Sequence, residues 1–149
     1  MIQEKVHEIL LVEDSASDAH LAIRALAESP FESNVSHAKD GVEALAMLRG
    51  EGDFATCPRP DLILLDLNMP RKDGRQVLEE LRTDSNLTAI PVVVLSTSSR
   101  EEDIVETYDL GSNSYIVKPV EIQDFFSVIE VTQKYWFRVC ALPGRNSVD

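Results

Sequence analysis

The stretch Leu62-Ile63-Leu64-Leu65-Asp66-Leu67-Asn68-Met69-Pro70-Arg71-Lys72-Asp73-Gly74 decides the fold. Its first four residues are all apolar, too short a run for a helix. They read as a strand buried on both faces, as in a parallel sheet covered by helices on each side. The strand ends abruptly in a carboxylate, Asp66. Working outward, the same pattern recurs. Ile9-Leu10-Leu11-Val12 runs into Glu13-Asp14, and Tyr115-Ile116-Val117 runs into Lys118-Pro119. Pro91 introduces a further buried strand, Val92-Val93-Val94-Leu95, followed by Ser96.

Helical periodicity fills the gaps between these runs. Residues 15–27 place Ala19, Ala22, Ile23 and Leu26 on one side, with Ser15 or Ser17 as the cap. Residues 41–48 read as a short helix and 74–83 as another, with Val77, Leu78 and Leu81 on one side. Residues 100–110 form a charged helix ending at Gly111. A last helix begins at 121. Residues 34–38 are a more polar strand, which suits a sheet edge. The segment 50–60, with two Gly and two Pro, reads as a loop. Asp73-Gly74 is a turn and helix start. Alternating β and α units give an α/β fold: a parallel sheet with right-handed crossovers and helices on both faces. In such sheets the ligand crevice lies beyond the carboxyl ends of the strands.

That crevice is where Glu13, Asp14, Asp66 and Lys118 converge. Two carboxylates about 4 Å apart repel by roughly 4 kcal/mol at an effective dielectric of about 20. Three would destabilise the fold or raise one another's pKa values. A small divalent cation removes that cost. Oxygen ligands without Cys or His favour Mg²⁺ over zinc, and Mg²⁺ completes its shell with water and phosphate oxygens. The residues therefore suggest a metal-assisted phosphate site.

The bulk properties narrow the function further. A chain of 149 residues with 44% hydrophobic content suits one domain with one core. A net charge of -12 opposes binding to nucleic acid or to anionic membrane. No apolar run approaches membrane-spanning length, and Met1-Ile2-Gln3-Glu4-Lys5 opens no secretory leader, so a cytoplasmic location is expected. Cys57 and Cys140 form no CxxC pattern and read as reduced bystanders. His7, His20 and His37 lack ligand spacing.

Four motifs in order and in register, from Ile9 to Asp14, Asp66 to Gly74, Pro91 to Ser96 and Tyr115 to Pro119, make the chain resemble the receiver domain of two-component response regulators. The resemblance covers about residues 7 to 134. It implies a (βα)5 doubly wound, flavodoxin-like or CheY-like fold with five parallel strands in the order 2-1-3-4-5. Asp66 would be the phosphoacceptor, taking a phosphoryl group from a phosphohistidine of a histidine kinase. Asp14 and Asp66 would ligate Mg²⁺ directly, joined by the Asn68 carbonyl, with Glu13 acting through water. Lys118 would pair with the phosphoryl oxygens and Ser96 would donate its hydroxyl. Tyr115 would be the aromatic switch, and the Lys118-Pro119 bond would be cis. The expected role is that of a phosphoacceptor rather than an enzyme. Ser96 stands where Thr is more usual, and Thr97 stands where Ala or Gly is typical, so access to Asp66 is expected to be narrower.

The tail carries two stripes at helical spacing. Ile122, Phe125, Ile129, Trp136 and Cys140 read as the core face. Val128, Val131, Tyr135, Val139 and Leu142, beside Trp136 and Phe137, are candidates for a homodimer contact through the last helix and strand. On this reading one helix runs from 122 to 142, about 30 Å, and Pro143-Gly144 stops it. The alternative is a break near Lys134, with the tail folding back on its own domain. Residues 1–134 would be the receiver and 135–149 an extension too short for an output domain. Output would then be protein–protein contact or, alternatively, phosphate carriage within a multistep phosphorelay.

Ser15-Ala16-Ser17-Asp18-Ala19, the longer 50–60 loop, Ser98-Ser99-Arg100-Glu101-Glu102-Asp103-Ile104 and Tyr135-Trp136-Phe137 are similar to one subgroup. It comprises the small stand-alone regulators paired with bacterial phytochromes, best known in cyanobacteria. This implies a phytochrome kinase as donor and a light-signalling pathway. A haloacid-dehalogenase-type phosphatase would need a second Asp at the position of Asn68. A flavodoxin-like nucleotide module would need a Gly- or Ser-rich phosphate loop where Glu13-Asp14 stand.

Overall fold

The computed structural model describes residues 6–69 and 71–143. Five parallel strands form one sheet in the order β2-β1-β3-β4-β5. They are β1 (His7–Val12), β2 (Ser33–Ala38), β3 (Leu62–Leu65), β4 (Val92–Ser96) and β5 (Ser114–Val117). The helices are α1 (Ala16–Glu28), α2 (Gly41–Arg49), α3 (Gly74–Thr83), α4 (Glu101–Asp109) and α5 (Ile122–Lys134). A single turn of 3₁₀ helix, Gly52–Phe54, lies within the expected 50–60 loop.

Side chains alternate across the central strands and build two cores. Leu10, Val12, Ile63, Leu65, Val92 and Val94 pack with Ala44 and Met47 of α2 and Val77, Leu78 and Leu81 of α3. Ile9, Leu11, Leu62, Leu64, Val93 and Leu95 pack with Ala19, Ala22 and Leu26 of α1 and Phe125 and Ile129 of α5. This double burial explains why β3 is apolar at every position. The polar strand β2 is an edge, as its composition requires.

Helix starts follow local chemistry. Ser15 caps α1, its hydroxyl accepting from the Asp18 amide at 3.2 Å. Asp73 caps α3 in a reciprocal box with Gln76. Gly50, at φ 64°, closes α2 in the left-handed conformation.

The tail departs from the straight helix. α5 ends at Lys134, and Tyr135–Val139 form a wide π turn that stops at Cys140. The helical path does not break at Lys134, where the backbone keeps helical angles; it widens into the π turn, leaves the helix only at Cys140, and the tail packs on its own domain. The reason is apolar burial. Trp136 and Phe137 pack against the α1/α5 core, and the Phe137 ring stacks on His7 with centroids 4.1 Å apart. The expected core stripe is corrected accordingly: Ile122 is 61% exposed. Gln133 is buried instead, donating from Nε2 to the Phe31 carbonyl at 3.0 Å. Of the dimer candidates, Val131, Tyr135 and Val139 are exposed, whereas Val128, Trp136, Phe137 and Leu142 are half-buried. Gly144 of the expected stop lies outside the described residues.

Candidate functional site

Parallel register brings the strand ends level. Val12 lies beside Leu65, Leu65 beside Val94, and Ser96 beside Val117. Backbone hydrogen bonds continue one step past the ladders. The Glu13 amide donates to the Ala38 carbonyl at 3.0 Å, Asp66 to Val12 at 3.0 Å, and Lys118 to Ser96 at 2.7 Å. The charged side chains therefore rise from fixed backbone on one sheet edge.

Glu13, Asp14 and Asp66 each offer an oxygen, all within 4.8 Å of one another. Glu13 is buried, Asp66 half-buried and Asp14 exposed. Ligand oxygens on octahedral Mg²⁺ are separated by about 2.9 to 4.2 Å. Small side-chain rotations would close the triad onto such an ion, so the donor set fits a hard divalent cation. Asn68, the fourth sequence candidate, is exposed on the loop after β3.

The electrostatic strain falls on Asp66. Burial first, and then the Glu13 and Asp14 carboxylates, push its carboxyl up to about 7 against the opposing pull of Lys118. The Lys118 ammonium contacts Glu13 Oε1 at 2.8 Å, with Asp18 at 3.8 Å. Burial pulls Lys118 down, but Glu13, Asp66 and Asp18 outweigh it and hold the ammonium above the ordinary lysine value. Lys118 thus rests on Glu13, beside the carboxylate it would serve.

Ser96 is fully buried, and its Oγ accepts from the Ser98 amide at 3.1 Å. The Tyr115 hydroxyl donates to the Ser98 carbonyl at 2.9 Å. The two expected switch residues therefore meet at Ser98. Thr97 is exposed and lines, with Lys118 and Phe125, a cleft of about 190 Å³ between α1 and α5. One expectation is overturned: the Lys118–Pro119 peptide bond is trans. Proline narrows the trans preference to roughly 0.5–1 kcal/mol without reversing it, so residue identity alone does not select cis.

Some residues near the site escaped the sequence reading. The His37 ring N–H donates to the Glu13 carbonyl at 2.7 Å, backing the site from the edge strand. Ser98 Oγ donates to Asp103 at 2.6 Å, and Asp103 accepts from Arg75 at 2.8 Å. The periodicity of β2 held the signal for His37, which lies one residue before buried Ala38 at the strand end. Nothing in the sequence pairs Arg75 with Asp103.

A five-stranded parallel sheet with an acidic triad, a lysine and a buried hydroxyl on its carboxyl edge defines a phosphoacceptor signalling module. The comparisons agree. The model of the response regulator receiver domain matches residues 9–130, and the chain belongs to that family. Response regulator Rcp1 of Synechocystis sp. is 42% identical over 136 residues, covering 91% of this chain and 92% of that protein. The crystal structure of the phosphorylated cyanobacterial phytochrome response regulator RcpA superposes with a TM-score of 0.89 at 46% identity, covering 94% of this chain and 100% of that one. The Mn²⁺-bound form of Rcp1 superposes with a TM-score of 0.86 at 40% identity, covering 93% of this chain and 99% of that one. The protein is a receiver-domain response regulator related to phytochrome response regulators. No helix of the described residues is long and apolar enough to cross a membrane.

Proposed function

We propose that this chain takes a phosphoryl group from a phytochrome-type histidine kinase onto Asp66 and passes the signal on by protein–protein contact. The observation that carries this is the convergence of three carboxylate oxygens within 4.8 Å around a half-buried Asp66, beside Lys118. The phytochrome pathway rests on the likeness to Rcp1 and RcpA.

Asp14 and Asp66 would hold Mg²⁺ with the Asn68 carbonyl, and Glu13 would hold it through water. Bound there, Mg²⁺ supplies charge neutralisation for the carboxylates and the incoming phosphoryl oxygens. The rest is the work of this chain. A carboxylate oxygen of Asp66 attacks phosphorus, the phosphorus–nitrogen bond of the donor phosphohistidine breaks, and the imidazole leaves with that electron pair. Lys118 turns from Glu13 to the phosphoryl oxygens as a compact point charge. Ser96 already accepts from the Ser98 amide, which leaves its own proton free to donate. Tyr115 senses the movement through the same Ser98 backbone.

Incubation with acetyl phosphate and Mg²⁺, followed by intact mass measurement, tests the acceptor. The unaltered chain gains one phosphoryl group and Asp66→Asn gains none. A labelled Asp66→Asn overturns the assignment. Transfer from a purified phytochrome kinase tests the pathway separately.

The receiver unit takes in residues 1–134, and the following segment serves association. Val131, Tyr135 and Val139 are 64%, 50% and 66% exposed, and Val117 of β5 is 42% exposed. A homodimer through the last strand and helix would cover them. Val131→Asp then converts a dimer to a monomer in analytical ultracentrifugation; an unaltered sedimentation coefficient refutes this contact.

A further inference from the structure

We infer that the Arg71–Asp40 ion pair is a positioning device for the loop between β3 and α3 and sets how tightly the acidic triad holds a divalent cation. This rests on the proposed metal site, because that loop carries Asn68, whose carbonyl would complete the ligand set.

The described residues of this loop are pinned at several points. At its far end the Gly74 amide donates to the Leu67 carbonyl at 2.8 Å, and a Cβ at Gly74 would meet the Asp66 carbonyl at 2.5 Å. In its middle the Gly41 amide donates to the Lys72 carbonyl at 3.0 Å, and a Cβ at Gly41 would run into that same oxygen. Between these points stands Arg71, held at φ 64°, the left-handed region that a non-glycine residue seldom adopts. Its guanidinium donates to one oxygen of Asp40 from Nε at 2.9 Å and from Nη2 at 2.6 Å. The other Asp40 oxygen accepts from the Glu43 amide at 2.8 Å and caps α2.

Two features separate this pair from a solvated surface contact. The Arg71 side chain is 56% exposed, but Asp40 is 6% exposed and anchored by its capping bond, so the arginine reaches from solvent onto a fixed, desolvated acceptor. Glycine would also suit the left-handed backbone freely, yet the position carries a charged side chain that reaches 31 residues back. The chemistry thus favours an ionic clamp over a simple turn. The clamp and the Gly41 contact fix the loop laterally, on the α2 side. Among the described residues the other holds on this loop are the packing of Met69 against the core, the Lys72–Glu80 ion pair and the bonds at its ends, none of which fixes Arg71 itself. Partners behind metal ligands commonly govern affinity by about 10- to 100-fold.

Isothermal titration of the full, unphosphorylated chain with Mg²⁺ tests this. Arg71→Gly satisfies the backbone but removes the charge, and is expected to bind Mg²⁺ about 10-fold more weakly. Arg71→Lys should recover part of the loss. Asp40→Asn retains a good helix cap and should reproduce the Arg71→Gly defect. Labelling by acetyl phosphate should fall in Arg71→Gly at low Mg²⁺ and return at saturating Mg²⁺. Unchanged Mg²⁺ affinity in Arg71→Gly overturns the clamp while leaving the site intact. No binding by the unaltered chain, or binding indifferent to Asp14→Asn, overturns the metal site itself and the clamp with it.

Discussion

Two aspartates flank the same four-residue strand, and they live under opposite rules. Asp61 precedes β3. It is buried, its Oδ2 accepts from the Glu8 amide at 2.8 Å, and its own amide donates to the Glu8 carbonyl at 2.7 Å. Asp66 follows β3, faces Glu13 and Asp14, and is pushed up to about 7. One end of the strand uses a carboxylate to satisfy backbone; the other crowds carboxylates against one another. The contrast separates residues kept for folding from residues kept for chemistry within a span of six positions.

Breaking each end should therefore give opposite signs. The largest effect is the loss of phosphoryl labelling in Asp66→Asn, with Asp61→Ala labelled normally. Next, Asp61→Ala leaves the part-buried Glu8 amide without that acceptor and should lower stability by about 1–3 kcal/mol in urea denaturation. Stability equal to the unaltered chain would remove Asp61 from the folding side of the comparison. The smallest effect sharpens it most. Asp66→Asn should raise the stability of the metal-free protein by about 1–2 kcal/mol at pH 8, with solvent screening discounted. The sign follows from linkage. The folded-state value near 7 lies above the ordinary 3.8, so the folded protein binds the extra proton between these values. Its stability then falls as pH rises from about 4 to about 7 and is level above. The advantage of Asp66→Asn should shrink below pH 7, vanish near pH 4, and disappear at pH 8 with saturating Mg²⁺. An advantage that persists unchanged at pH 4 would contradict the crowding.

Much of this was legible beforehand because the strands announce themselves. Leu62 to Leu65 is apolar throughout, and the charge changes at a single residue, so both the sheet and its acidic edge could be placed. Ser15, Asp73 and Gly111 marked helix ends through local chemistry, which needs no knowledge of distant partners. The tail was harder. Tyr135 to Val139 contains good helix spacing, and the departure into a π turn depends on Phe137 finding His7, more than a hundred residues away. Ile122 matched the core stripe by period, yet it is the first residue of α5, where the helix has not reached the sheet. The Lys118–Pro119 isomer and the Arg71–Asp40 pair depend on tertiary geometry that no local pattern encodes.

Ser98 ties together β4, β5 and α3 through three different groups of one residue. Its amide holds the Ser96 hydroxyl, its carbonyl holds the Tyr115 hydroxyl, and its own hydroxyl leads through Asp103 to Arg75 at the start of α3. The first two links are neutral and the last is ionic, so brine acts on them unequally. Added electrolyte loosens the guanidinium while the peptide and hydroxyl links persist. The joint therefore has a stiff side facing the sheet and a side toward α3 whose give varies with the ions in the surrounding water.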